Sequence, residues 1–96
     1  MKYTILVSPQ AHKEIEEAHD FYEEKREGLG NLFLDEISAY FNKLVSSPLS
    51  YSFIDNSKIV RDICLDRFPF VIVFVVTNLD INVMSVRHTL KKPFFG

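Results

Sequence analysis

The run Phe68–Val76 does more than any other stretch to restrict how this chain can fold. It is too short for a membrane span, which takes about 20 apolar residues. Pro69 near its start lacks an N–H, and a sheet tolerates that loss only where a strand opens or lies at an edge. The run therefore reads as a buried β-strand, Phe70–Thr77. Side chains along a strand alternate between its faces. Phe70, Ile72, Phe74 and Val76 take one face, and Val71, Val73 and Val75 take the other. An antiparallel sheet with one face in water shows polar residues on that face, and Val71, Val73 and Val75 are not polar. Left bare, that second face would expose an apolar patch on the order of several hundred Å², unusual for a monomer. Its cover has to come from the Pro93–Phe95 tail, from strong coiling of the sheet, or from a second chain. Val71, Val73, Val75, Phe94 and Phe95 are accordingly the candidate partner-binding residues.

The rest of the chain supplies one covering layer. Tyr3–Val7 is a short β-branched run. Ser8 then offers an N-cap oxygen, and Pro9 suits the first helical position. Ala11, Ile15, Ala18 and Tyr22 follow at helical spacing, with Glu14, Glu17, Glu24 and Lys25 on other faces. Gly28 ends this helix near residue 27 as a left-handed residue. A second helix begins around Gly30 or Asn31, carries Phe33, Ile37, Tyr40 and Leu44 as its stripe, and stops at Ser46-Ser47-Pro48. So short a link makes an αα-hairpin whose apolar side needs a sheet. Tyr51–Ile54 reads as a possible extra strand and Asp55-Asn56-Ser57 as a turn. Ile59–Leu65 and Ile81–His88 read as further strands. The expected fold is α+β in two layers, β-α-α-β-β-β(-β), one domain over residues 1–96 with a helical hairpin on a curved, mainly antiparallel sheet.

Charge and cysteine content narrow the class. The 96 residues carry a net charge of −2, which does not mark a nucleic-acid binder. The average hides an asymmetry. Residues 1–36 carry four basic and nine acidic side chains, while residues 57–96 carry six basic and three acidic ones. Such a split either gathers a positive patch or simply reflects an acidic solvated helix beside ordinary strands. Cys64, being single, forms no internal disulfide and reads as a buried apolar filler in a reducing compartment. The start of the chain does not have the pattern of a signal peptide, so a soluble cytoplasmic protein is expected.

Few motifs carry chemistry. There is no Walker loop and no nucleophile elbow, and no cofactor is expected. His12, Glu16 and His19 share roughly one helical face, but on an acidic solvated helix they read as surface residues rather than metal ligands. Arg61, Arg67, Arg87, His88, Lys91 and Lys92 remain. Cleavage of an RNA phosphodiester by its own 2′-OH needs a base, an acid and cations for the charged intermediate. Arg61, Arg87 and His88 are the candidate catalytic set: arginines clamp phosphate bidentately, and histidine shuttles protons near neutral pH. The alternative roles are an ion pair for Arg61 and a strand end for His88.

The order Arg61-Asp62-Ile63-Cys64-Leu65-Asp66-Arg67-Phe68-Pro69-Phe70, then Ile81–Val86, then His88 with Pro93 five residues on, resembles the RelE/ParE-type toxins of type II toxin–antitoxin, or plasmid stabilisation, systems. Tyr22, Gly28-Leu29-Gly30, Phe33-Leu34 and Pro48 fit the same pattern. The resemblance implies a RelE-like fold with the last strand beside the first, and a cognate antitoxin that wraps the toxin with a helix and an extended segment. RelE-like members are mRNA endonucleases, often working on the ribosome, and ParE-like members poison DNA gyrase. The nuclease branch typically carries an arginine in the middle strand and a lysine-rich segment ahead of it. Here Phe68-Pro69-Phe70-Val71-Ile72 has no cation and only Lys58 precedes it, so the resemblance leans to the ParE-like branch. Three readings follow: a toxin that binds a topoisomerase such as DNA gyrase, a metal-independent RNA endonuclease, and a degenerate fold that only binds its partner.

Overall fold

A computed structural model describes residues 2–54, 56 and 58–90. The chain runs β1 (Thr4–Val7), α1 (Pro9–Lys25), α2 (Leu29–Ser46), a short 3-10 turn (Pro48–Ser50), β2 (Val60–Cys64), β3 (Phe70–Thr77) and β4 (Asp80–His88). The sheet order is β1-β4-β3-β2, with β1 parallel to β4 and the other pairs antiparallel. This is the expected α+β layering, with the last strand beside the first.

The junctions follow from local chemistry. Ser8 caps α1: its Oγ accepts the Ala11 N–H at 3.0 Å and donates to the Met84 carbonyl at 3.0 Å. The hairpin between the helices is tighter than the sequence suggests. Lys25 ends α1 and Leu29 opens α2, with Gly28 left-handed at φ +87° between them. Glu23 turns back under this bend and accepts the N–H groups of Gly28 (2.9 Å) and Gly30 (3.0 Å). A Cβ on Gly30 would come within 2.7 Å of the His19 carbonyl, so glycine lets the two helices close.

Both helical stripes lie on the β3 face bearing Phe70, Ile72 and Phe74. Ala11, Ala18, Phe33, Ile37, Tyr40, Leu44, Ile81, Val83 and Val86 complete the core. Aromatic rings fill its centre, with Tyr22–Phe68 at 4.8 Å, Phe33–Phe70 at 5.1 Å and Phe33–Phe68 at 5.2 Å between centroids.

Strand β4 departs from simple alternation. Val73 faces Ser85 while Phe74 faces Val83, so Met84 is an extra, bulged residue. The bulge shifts the phase. Ile81 and Val83 point to the helices before it, and Val86 does so after it. An unbroken strand would have sent Ser85 and Arg87 into the core instead.

Two further expectations change. Tyr51–Ile54 is not a strand, because only Phe53 bridges to β2, opposite Arg61. Two backbone bonds flank that bridge, from the Ile54 N–H to the Val60 carbonyl at 2.7 Å and from the Asp62 N–H to the Ser52 carbonyl at 3.4 Å, and the Tyr51 carbonyl, outside this ladder, accepts from the Arg61 guanidinium at 2.5 Å. Cys64 is exposed rather than buried, since β2 is an edge strand and Cys64 lies at its end opposite the half-buried Val71. The Asp55-Asn56-Ser57 turn falls mostly outside the described residues. Among the described residues, no helix is long and apolar enough to cross a membrane.

Candidate functional site

The three residues singled out for chemistry do not converge. Arg61 pairs across the ladder with Phe74 and so belongs to the helix side of the sheet. Its Nη1 donates to the carbonyls of Tyr51 and Leu49 (3.4 Å), and its guanidinium stacks 3.9 Å from the Phe53 ring centre. It holds the 49–53 segment against the sheet. Arg87 pairs with Val71 and lies on the opposite face. His88 pairs with Phe70, back on the helix side. Arg61 and His88 are separated by four residues along β3, about 13 Å, and by two strand spacings, about 10 Å. A single phosphate bridges neither gap. Arg67 belongs to the β2–β3 loop, where its backbone N–H donates to Glu36 Oε2 at 2.8 Å. Lys91, Lys92, Phe94 and Phe95 lie outside the described residues.

His12, Glu16 and His19 on α1, read from the sequence as surface residues, do not converge either. His12 Nδ1 stands 3.8 Å from Glu16 Oε1, whereas His19 Nδ1 turns to Asp20 Oδ1 at 3.0 Å. Among the described residues no three histidine, cysteine or carboxylate side chains are placed to hold a metal.

The far face of the sheet is less bare than its sequence implies. Val73 is only 2% exposed within this chain alone, while Val71 and Val75 are half-buried. Asp62 shares that face, opposite Val73, and burial raises its pKa above the ordinary carboxylate value.

The structure instead brings together a groove of about 260 Å³ between α1 and the end of β4. Ala18, Tyr22, Phe70 and Val86 give it an apolar interior, Phe21 and His88 form its mouth, and Glu14 and Glu17 supply acidic walls. It exists because β1 stops early. The β1–β4 pairing ends at Val7 and Val83, yet β4 continues to His88. Beyond Val83 the outer edge of β4 has no strand neighbour among the described residues. Glu14 fills part of that role, its Oε1 accepting the Val86 N–H at 3.0 Å and the Ser85 hydroxyl at 2.7 Å. His88 packs edge-on against Phe70 at 5.2 Å and accepts the Leu90 N–H on Nδ1 at 3.0 Å. In the neutral ring that leaves Nε2 as the donor. Burial raises the Tyr22 pKa.

Of the groove residues, only His88 was a candidate from sequence. The overlooked signal is Phe21, a large aromatic just off the Ala11–Tyr22 stripe, which is 54% exposed. Its ring packs edge-on against Tyr22 at 5.3 Å and carries Lys25 Nζ 4.9 Å from its centre.

No protein-family model matches the chain, and no curated protein matches it. Among solved structures, a chain of the chromosomal ParDE TA system from P. aeruginosa superimposes with a TM-score of 0.79. The match covers 90% of this chain and 95% of that one, at 16% sequence identity. The two chains share a fold.

Proposed function

We propose that this chain is the toxin component of a toxin–antitoxin pair, neutralised by a cognate antitoxin, and that it acts in the ParE-like manner by binding a topoisomerase such as DNA gyrase. The observation that carries this reading is the shared fold with a chain of the ParDE TA system over nearly the full length of both. The sequence pattern from Arg61 to Phe70, with His88 following, points the same way. The separation of Arg61, Arg87 and His88 supports inhibition by binding over RNA cleavage, because phosphodiester chemistry needs its base, acid and cations around one phosphate. In this reading the antitoxin covers the far face at Val71 and Val75, which the chain leaves half-buried, while Val73 between them is already covered by the chain itself.

The test is a gyrase supercoiling reaction with the purified chain added. Loss of supercoiling at micromolar chain is expected. Supercoiling that continues unchanged rules gyrase out as the target.

A further inference from the structure

A sheet margin without a neighbour presents a row of backbone N–H and C=O groups to any other strand. Two stretches of margin here are closed. The outer edge of β2 is met by segment 52–54, with bonds from the Ile54 N–H to the Val60 carbonyl and from the Asp62 N–H to the Ser52 carbonyl. The end of β4 is met by Glu14, which takes the Val86 N–H. The outer edge of β1 differs. The Thr4 N–H donates to the Leu79 carbonyl and the Ser8 N–H to the Val83 carbonyl, so residues 4, 6 and 8 turn toward β4. Strand alternation then turns the N–H and C=O groups of Ile5 and Val7 away from the sheet. Among the described residues, β1 pairs with β4 alone. Thr4–Val7 also carries none of the usual safeguards of such an edge: no charge, no proline and no bulge.

The sequence along that edge is close to a palindrome. Thr4-Ile5-Leu6-Val7-Ser8 reads hydroxyl, β-branched, leucine, β-branched, hydroxyl in either direction. Two copies laid antiparallel about Leu6 therefore meet like with like: Leu6 faces its own copy, Ile5 faces Val7, and Thr4 faces Ser8. The hydrogen-bond parity agrees with this register. The outward groups of Ile5 and Val7 come opposite each other and give four backbone bonds across the two-fold axis, while Leu6 takes the non-hydrogen-bonded position, where side chains approach most closely. Leu6 is 48% exposed, and beyond it on the same face Met84 lines a shallow hollow with Asn82 and Val75. On the helix face Ile5 and Val7 are half-buried against the core. Pairing through β1 thus covers apolar side chains on both faces of the strand at once.

We propose that two copies of this chain associate through β1, antiparallel about Leu6, joining their four-stranded sheets into one continuous sheet. The contact is isologous, with its two-fold axis perpendicular to the sheet, so both helical hairpins stay on one side. Each copy contributes a strand of only four residues, which places the contact among weak, reversible interfaces. It leaves Val71, Val75 and the α1–β4 groove open, and it holds whatever the cellular target of the protein.

The test is sedimentation of the unaltered full chain across concentration, followed by cysteine pairing. The mass should rise from monomer toward dimer by about 1 mM. The Ile5 and Val7 amides should exchange more slowly as the dimer fills, while the Ser8 amide, already bonded to Val83, stays unchanged. Leu6→Lys sets two like charges directly opposite each other and should weaken association by roughly tenfold or more with the melting temperature retained. With the exposed Cys64 removed as Cys64→Ser, Leu6→Cys should oxidise to a linked dimer, because Cα atoms of a non-hydrogen-bonded pair stand about 4.5 Å apart, within disulfide reach. Thr4→Cys in the same background, opposed to Ser8, should not link. A chain still monomeric at about 1 mM overturns the proposal and needs no variant to fold. A dimer that survives Leu6→Lys, or that links through Thr4→Cys and not through Leu6→Cys, overturns it in favour of another surface or register.

Discussion

Glu23 and Asp62 are two carboxylates whose surroundings push them in opposite directions. Glu23 accepts the N–H groups of Gly28 and Gly30, and these bonds, the first above all, hold its pKa below the ordinary value of 4.5. A lowered folded-state pKa stabilises the fold above the ordinary value, and that contribution is lost as pH falls through the folded value. Glu23→Gln should therefore lower the urea midpoint at pH 7, with the gap to the unaltered chain closing in acid. Asp62 behaves oppositely. Burial raises its pKa above 3.8, so its charge costs stability at neutral pH and the cost disappears on protonation. Asp62→Asn should raise the urea midpoint at pH 7 and leave it unchanged below the ordinary aspartate value. The same pair of titrations, run on both variants, checks both signs.

At the scale of elements, β4 shows where the sequence was readable and where it was not. Its limits, and those of β3, followed from apolar content and turn residues. The helices followed from Ser8-Pro9, Gly28 and Pro48 together with the spacing of their stripes. The bulge at Met84 was missed, although Ile81, Val83 and Val86 break the period of two and leave one residue too many. Tyr51–Ile54 was misread because strand propensity does not say how far pairing extends, and here only Phe53 bridges to β2. The bulge makes a contrasting pair of deletions informative. Removing Met84 leaves Ile81, Val83, Val86 and His88 in simple alternation, and forfeits mainly the Ser8 hydrogen bond to the Met84 carbonyl, about 1 kcal/mol. Removing Asn82 turns Ile81 or Val83 out of the core and should cost about 2–5 kcal/mol. Thermal melts should show a small shift for the first deletion and a drop of about 10 °C or more for the second.

At the scale of the whole molecule, the two-layer arrangement was legible, because a two-faced apolar strand and a short-linked helical hairpin leave few alternatives, whereas the last strand beside the first was expected only from the resemblance to RelE/ParE-type toxins. The groove was not legible. It arises from a difference in strand length, β1 ending at Val83 of β4 while β4 runs to His88, and from a register that only the folded sheet defines. The apolar far face was visible from sequence, yet the burial of Val73 within the chain was not, since alternation assigns a face without saying what lies over it. The proposed role as a toxin held in check by a partner protein is tested most directly in cells. The direct measurement is growth after induced expression of the chain, alone and together with the product of the neighbouring reading frame. The account predicts arrest for the chain alone and relief on co-expression. Undisturbed growth with the chain folded, soluble and abundant would contradict it.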